Sequence, residues 1–99
     1  MIGGPNSGII RIQQIQVYSP KGRIIAAQPG GEGMEPEGVY VGVWNIGDNG
    51  DVPPRWRIGG PKSGLKKPRG VVLNPKYKEL IVADMRLNSV LTFYFPEIF

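Results

Sequence analysis

From Pro68 to Phe95 the chain alternates short apolar runs with turn clusters. Val71-Val72-Leu73, Leu80-Ile81-Val82-Ala83 and Val90-Leu91-Thr92-Phe93-Tyr94-Phe95 are rich in β-branched, aliphatic and aromatic residues. Between them stand Asn74-Pro75-Lys76-Tyr77-Lys78 and Met85-Arg86-Leu87-Asn88, where Pro and Asn favour tight turns. The pattern predicts three consecutive antiparallel strands, an up-and-down meander.

The same unit occurs upstream. Ile2-Gly3-Gly4-Pro5-Asn6-Ser7-Gly8 returns as Ile58-Gly59-Gly60-Pro61-Lys62-Ser63-Gly64. Ile12 to Lys21 then corresponds to Pro68 to Lys76, Gly22 to Ala27 corresponds to Lys78 to Ala83, and Tyr40 to Ile46 corresponds to Ser89 to Phe95. The first unit is longer in two places. Gln28 to Gly38 reads as a Gly/Pro/Glu loop without period, and Gly47-Asp48-Asn49-Gly50-Asp51-Val52 precedes a fourth strand around Pro54 to Ile58. Asn49-Gly50 is the favoured pair for a two-residue hairpin. Pro53 and Pro54 suit an outermost strand, where a missing N–H on the open edge costs nothing.

Leu80-Ile81-Val82-Ala83, Ile24-Ile25-Ala26-Ala27 and Val90 to Phe95 do not alternate cleanly between apolar and polar residues, and near-continuous apolar strands belong to sheets covered on both faces. A repeated four-stranded meander of that kind predicts an all-β fold of β-propeller blades, with 1–60 as a first blade and 61–99 as a second of three strands.

Pro68-Arg69-Gly70-Val71-Val72-Leu73-Asn74-Pro75, followed by Leu80-Ile81-Val82-Ala83-Asp84, Asn88 and Val90-Leu91-Thr92-Phe93, resembles an NHL-type propeller repeat. The first unit departs from that pattern, with Gln28 where Asp84 would stand and Ile12-Gln13-Gln14 in place of Pro-x-Gly. The resemblance implies a propeller, most often of six blades, and a binding role more often than catalysis.

Composition narrows the chemistry. The chain has neither Cys nor His, which removes disulfides, thiolate nucleophiles, imidazole bases and the usual zinc sites. No cofactor and no enzymatic activity are expected. No apolar run is long enough to span a bilayer and no leader peptide is expected at Met1, so no membrane partner is predicted. The net charge of +4 is a mild bias toward anionic partners.

Four groups of residues are candidates for function. Lys62, Lys66, Lys67 and Arg69 precede or open the first strand of the second unit, and Arg86 lies between its second and third strands. In a meander both connections emerge at one end, so these cations form a predicted docking face for an acidic protein or other polyanion. Arg11, Glu32, Glu35 and Glu37 from the first unit temper that charge, so nucleic acid is not the favoured partner. Asp48 and Asp51 form an oxygen-rich tip without calcium-loop spacing, better read as a turn. Asp84 and Asn88 are metal-ligand candidates in a hydrolase reading, of lactone or ester type, but suit a turn-fixing role better. Trp44 aligns with Phe93 and reads as core, whereas Trp56 stands beside arginines on the outer strand.

The favoured function is a binding or scaffolding module. Two blades leave two bare apolar faces, which predicts self-association, with a cyclic trimer closing a six-bladed ring. The third strand would then need a strand from a partner, or shielding by Pro96 to Phe99. The remaining alternative is a piece of a larger propeller without a function of its own.

Overall fold

The computed structural model describes residues 1–4, 12–29, 39–59 and 63–99. Four strands, β1 (Gln14–Tyr18), β2 (Arg23–Pro29), β3 (Val39–Asn45) and β4 (Trp56–Gly59), pair in that order as one antiparallel sheet. Three more, β5 (Pro68–Asn74), β6 (Glu79–Asp84) and β7 (Ser89–Tyr94), form a second antiparallel sheet. The chain is all-β, with no α-helix among the described residues and no helix long and apolar enough to cross a membrane.

Turn chemistry sets the first hairpin of each sheet. Ser19–Lys21 makes a single 3-10 turn ended by Gly22, whose φ of 66° places it in the left-handed region. Lys78 occupies the corresponding position in the second sheet, with φ 56°. One unit therefore uses the residue that adopts this conformation freely, and the other holds a side chain there against its steric preference.

The registers carry the repeat into three dimensions. Ile15 pairs with Ala26 as Val71 pairs with Val82, and Val17 pairs with Ile24 as Leu73 pairs with Leu80. Ala27 pairs with Val41 as Ala83 pairs with Val90. The two sheets stack so that β5 lies against β1 and β2. Ile25, Ala27, Val41 and Val43 from the first sheet meet Val71, Leu80 and Val82 from the second, all fully buried, with Leu73, Leu91 and Phe93 packed around them.

The stacking joins unlike faces. The first sheet turns inward the residues equivalent to Ile81, Ala83, Val90 and Thr92 of the second, and these four point outward. The second sheet turns inward the equivalents of Ile15, Val17, Ile24, Ala26 and Trp44, which lie on the outer face of the first. Ile15 is 55% exposed, Val72 58%, Val90 66% and Tyr94 73%. Ile25, Val41, Val43, Leu80 and Val82 are thus enclosed between the sheets, while Ile24 faces outward.

Some boundaries differ from expectation. Gln28 and Pro29 belong to β2 and are buried, because pairing with Tyr40 and Val39 extends the ladder into the expected loop. Asn49-Gly50 does not close a two-residue hairpin. Asp48 N–H bonds Asn45 O at 3.0 Å and ends β3, while Gly50 pairs with the amino-terminal segment around Ile2. The fourth strand begins only at Trp56, beyond both prolines. Pro96–Ile98 forms a 3-10 turn that sends Ile98, fully buried, into the core between the sheets. Phe99 meets Tyr18 edge-on, with centroids 5.0 Å apart.

Candidate functional site

Because β5 starts, β6 ends and β7 starts at the same end of the second sheet, the connections carrying the cations converge there. Asp84, the last residue of β6, ties them together. Its Oδ2 accepts the amides of Lys66 at 2.7 Å and Lys67 at 2.9 Å. Its Oδ1 accepts those of Arg86 and Leu87, each at 3.1 Å. Met85 N–H bonds Lys67 O at 3.0 Å and closes the junction. Asp84 is 2% exposed. Burial is the largest influence on it and opposes its charge, yet the amides of Lys66, Lys67, Leu87 and Arg86 together hold the carboxyl below its ordinary range.

This geometry gives Asp84 a structural task. A carboxylate offers about four lone-pair sites, and four amides point at them. Asn88 stands in the left-handed region at φ 50°, a conformation asparagine tolerates at turns. Among the described residues no group of three or more acidic side chains converges as a metal site.

Lys66, Arg69 and Arg86 are exposed, and Lys67 is half-buried. Arg69 reaches Met85 Sδ at 2.9 Å and Gln13 Oε1 of the first sheet at 3.0 Å. The structure therefore brings to one end Lys66, Lys67 and Arg86, on connections fixed by one carboxylate, and Arg69 at the start of β5. Lys62, Arg11, Glu32, Glu35 and Glu37 lie outside the described residues. An open hollow of about 570 Å³ lies beside Arg69, Ala83, Asn88 and Val90.

The other described carboxylates sit elsewhere. Asp48 and Asp51 follow β3, Glu79 opens β6 and Glu97 follows β7, all at the opposite end of the strands. Asp48 makes a bidentate pair with Arg55, the shortest approach being 2.7 Å, and accepts the Asn45 amide at 2.9 Å. The Arg55 hydrogen bonds, and then the Asn45 amide, hold its carboxyl below the usual range. Asn49 Oδ1 accepts the Met1 ammonium at 2.6 Å. The oxygen-rich tip is thus a pinned turn.

Neither tryptophan forms an open shelf. Trp44 is buried and donates its indole N–H to Val52 O at 3.1 Å. Trp56 packs against the core under the Arg23 guanidinium, 4.6 Å from its ring centroid.

Sequence reading missed Gln13 and Gln14, which stand at the second and third positions of the Pro-x-Gly pattern. Gln14 Oε1 accepts the Val71 amide on the next sheet. A Cβ on Gly70 would stand 3.0 Å from that same oxygen, so glycine there leaves the amide side chain its path. The available signal was the pairing of Gln14 with Gly70 in the repeat, which sets a long polar side chain against a missing one.

Comparison with known proteins gave no match: no family model matches the chain, and no curated protein or solved structure does.

Proposed function

We propose that this chain is a two-blade section of a β-propeller of NHL-repeat type, which completes its ring with further copies of itself and serves as a binding or scaffolding module. The observation that carries this reading is the relation between the outer faces. The packing inside the chain joins one face of a sheet to the opposite face of the next, and one face of each kind is left open. Ile81, Ala83, Val90 and Thr92 of one copy meet Ile15, Val17 and Ile24 of another as their equivalents meet within the chain. Such a head-to-tail interface closes a ring when its rotation allows. Six blades correspond to three chains.

The basic loop end is the docking surface. Lys66, Lys67 and Arg86 project from connections that Asp84 holds in place, Arg69 stands beside them at the start of β5, and the described carboxylates other than Asp84 lie at the far end. A ligand with spaced negative charges, an acidic protein segment or a sulfated or phosphorylated polymer, suits such a surface.

Light scattering coupled to size exclusion tests the ring: a trimer is expected, and a monomer throughout the micromolar range overturns it. Heparin binding across a salt series tests the docking. Affinity should fall steeply with salt, and Lys66→Gln with Lys67→Gln should reduce the slope by about one for each anionic group that the lysines no longer neutralise. Binding that is absent or indifferent to salt overturns the polyanion reading.

A further inference from the structure

Resting on the ring reading just proposed, we infer that Met1–Gly4 of one copy forms the outer strand of the second sheet of its neighbour, antiparallel to β7, with Ile2 of the neighbouring copy opposite Val90. Three observations lead there. The first is position. Ile58, on the outer strand of the first sheet, packs against the core cluster between the sheets, which includes Leu80 and Val82, as Phe93 does. Ile2, its equivalent in the repeat, packs against Ala26 and Trp44, the equivalents of Val82 and Phe93. Met1–Gly4 therefore lies, relative to the first sheet, where the outer strand of a preceding sheet would lie.

The second observation is vacancy. Among the described residues no strand pairs with the outer edge of β7. The tail Pro96–Phe99 turns into the core instead, with Ile98 buried there.

The third is hydrogen-bond direction. Gly3 N–H bonds Gly50 O at 2.9 Å, and Gly50 N–H bonds Met1 O. In an extended segment alternate residues present their amides to opposite sides, so the N–H and C=O of Ile2 point away from Gly50. On β7, Phe95 N–H bonds Lys78 O at 2.9 Å. The same alternation turns the amides of Leu91 and Phe93 toward β6 and those of Val90, Thr92 and Tyr94 toward the open edge. The repeat supplies the register. Val41 opposite Ile58 becomes Val90 opposite Ile2, and Tyr40 opposite Gly59 becomes Ser89 opposite Gly3. Both members of the Val90–Ile2 pair thus aim an N–H and a C=O at each other, as a hydrogen-bonded antiparallel pair requires.

The chain contains no cysteine, which makes disulfide trapping a clean test. Residues opposite each other in such a pair have Cα atoms about 5.5 Å apart, within the span a disulfide bridges. Ile2→Cys and Val90→Cys are placed on separate full-length chains, mixed, and oxidised with glutathione. A disulfide-linked pair is expected from the mixture, with little from either variant alone. It should also be scarce when Leu91→Cys, whose side chain points to the other face, replaces Val90→Cys. Light scattering of the same mixture under reducing conditions separates the two ideas. Association without the bond overturns the strand pairing and leaves the ring standing, whereas absence of association overturns both. If Ile2→Cys fails to fold by circular dichroism, Gly3→Cys with Ser89→Cys probes the same register, with the same outcomes deciding.

Discussion

Replacing Asp84 by asparagine should loosen the basic loop end and weaken the whole fold. The carboxylate is 2% exposed and accepts four backbone amides from two connections. Asparagine keeps one acceptor oxygen and turns an NH2 group toward two donors. A hydrogen bond to a charged group contributes about 1.5–3 kcal/mol net. The Arg86 and Leu87 amides stand on an exposed turn where water can replace the missing acceptor, so the side chain will settle with its NH2 on that side. The expected loss is then about 2–3 kcal/mol, less than two full charged bonds, and a sizeable part of the roughly 5–15 kcal/mol of a typical domain. At a urea slope of about 1–3 kcal/mol/M this lowers the midpoint by roughly 1–2 M.

Equilibrium urea unfolding at one fixed protein concentration, followed by tryptophan fluorescence, measures it, since association would make the midpoint depend on concentration. The pH dependence gives a second check. The folded pKa of Asp84 is depressed, so its contribution is fully present above the unfolded value of about 3.9 and is lost as pH falls through the folded one. The gap between wild type and Asp84→Asn should therefore be full at pH 7 and shrink in strong acid. A midpoint change under about 0.3 M at neutral pH, or a gap that persists unchanged in acid, would refute the reasoning.

Three further sets of substitutions probe the frame. Lys78→Gly should stabilise by about 0.5–1 kcal/mol, because relief of the left-handed strain exceeds the added freedom of the unfolded chain, and Gly22→Ala should destabilise by about 1 kcal/mol, both read by thermal melting. Gly42→Ala should cost about 1–3 kcal/mol in the same assay, since its Cβ would stand 2.9 Å from the rings of Trp44 and Tyr40. Gln14→Ala removes the acceptor of the Val71 amide and should cost about 1–2 kcal/mol, with faster hydrogen exchange at Val71 as its local signature.

Strand order and most strand positions were legible because each apolar run is bounded by residues with one dominant turn chemistry, as Ser19-Pro20-Lys21-Gly22 and Met85 to Asn88 show. Partition of side chains between the two faces was not legible. In Ile24-Ile25-Ala26-Ala27 every residue is apolar, so composition gives no sign that Ile25 faces the second sheet and Ile24 does not. The tip 46–55 was misread because Asn49-Gly50 has the chemistry of a short hairpin, whereas pairing with a segment distant in sequence, at Met1 and Gly3, decides its conformation. At the basic end, the turn-fixing role of Asp84 could be anticipated from residue type. Its reach to Lys66 and Lys67 depends on sheet pairing.

Uneven clustering of charge gives one end of the strands a local positive potential. At the other end Lys21, Arg23, Arg55, Lys76 and Lys78 are interspersed with Asp48, Asp51, Glu79 and Glu97, whereas Lys66, Lys67, Arg69 and Arg86 have only Asp84 beside them among the described carboxylates, so the basic end exerts the stronger attraction on an approaching polyanion. Its reach is the Debye length, about 8 Å at physiological ionic strength and about 30 Å at 0.01 M. In dilute salt the protein should be turned basic end first while still approaching, so that collisions arrive aligned and association accelerates. Dispersing those four cations over the surface would preserve net charge and abolish that alignment.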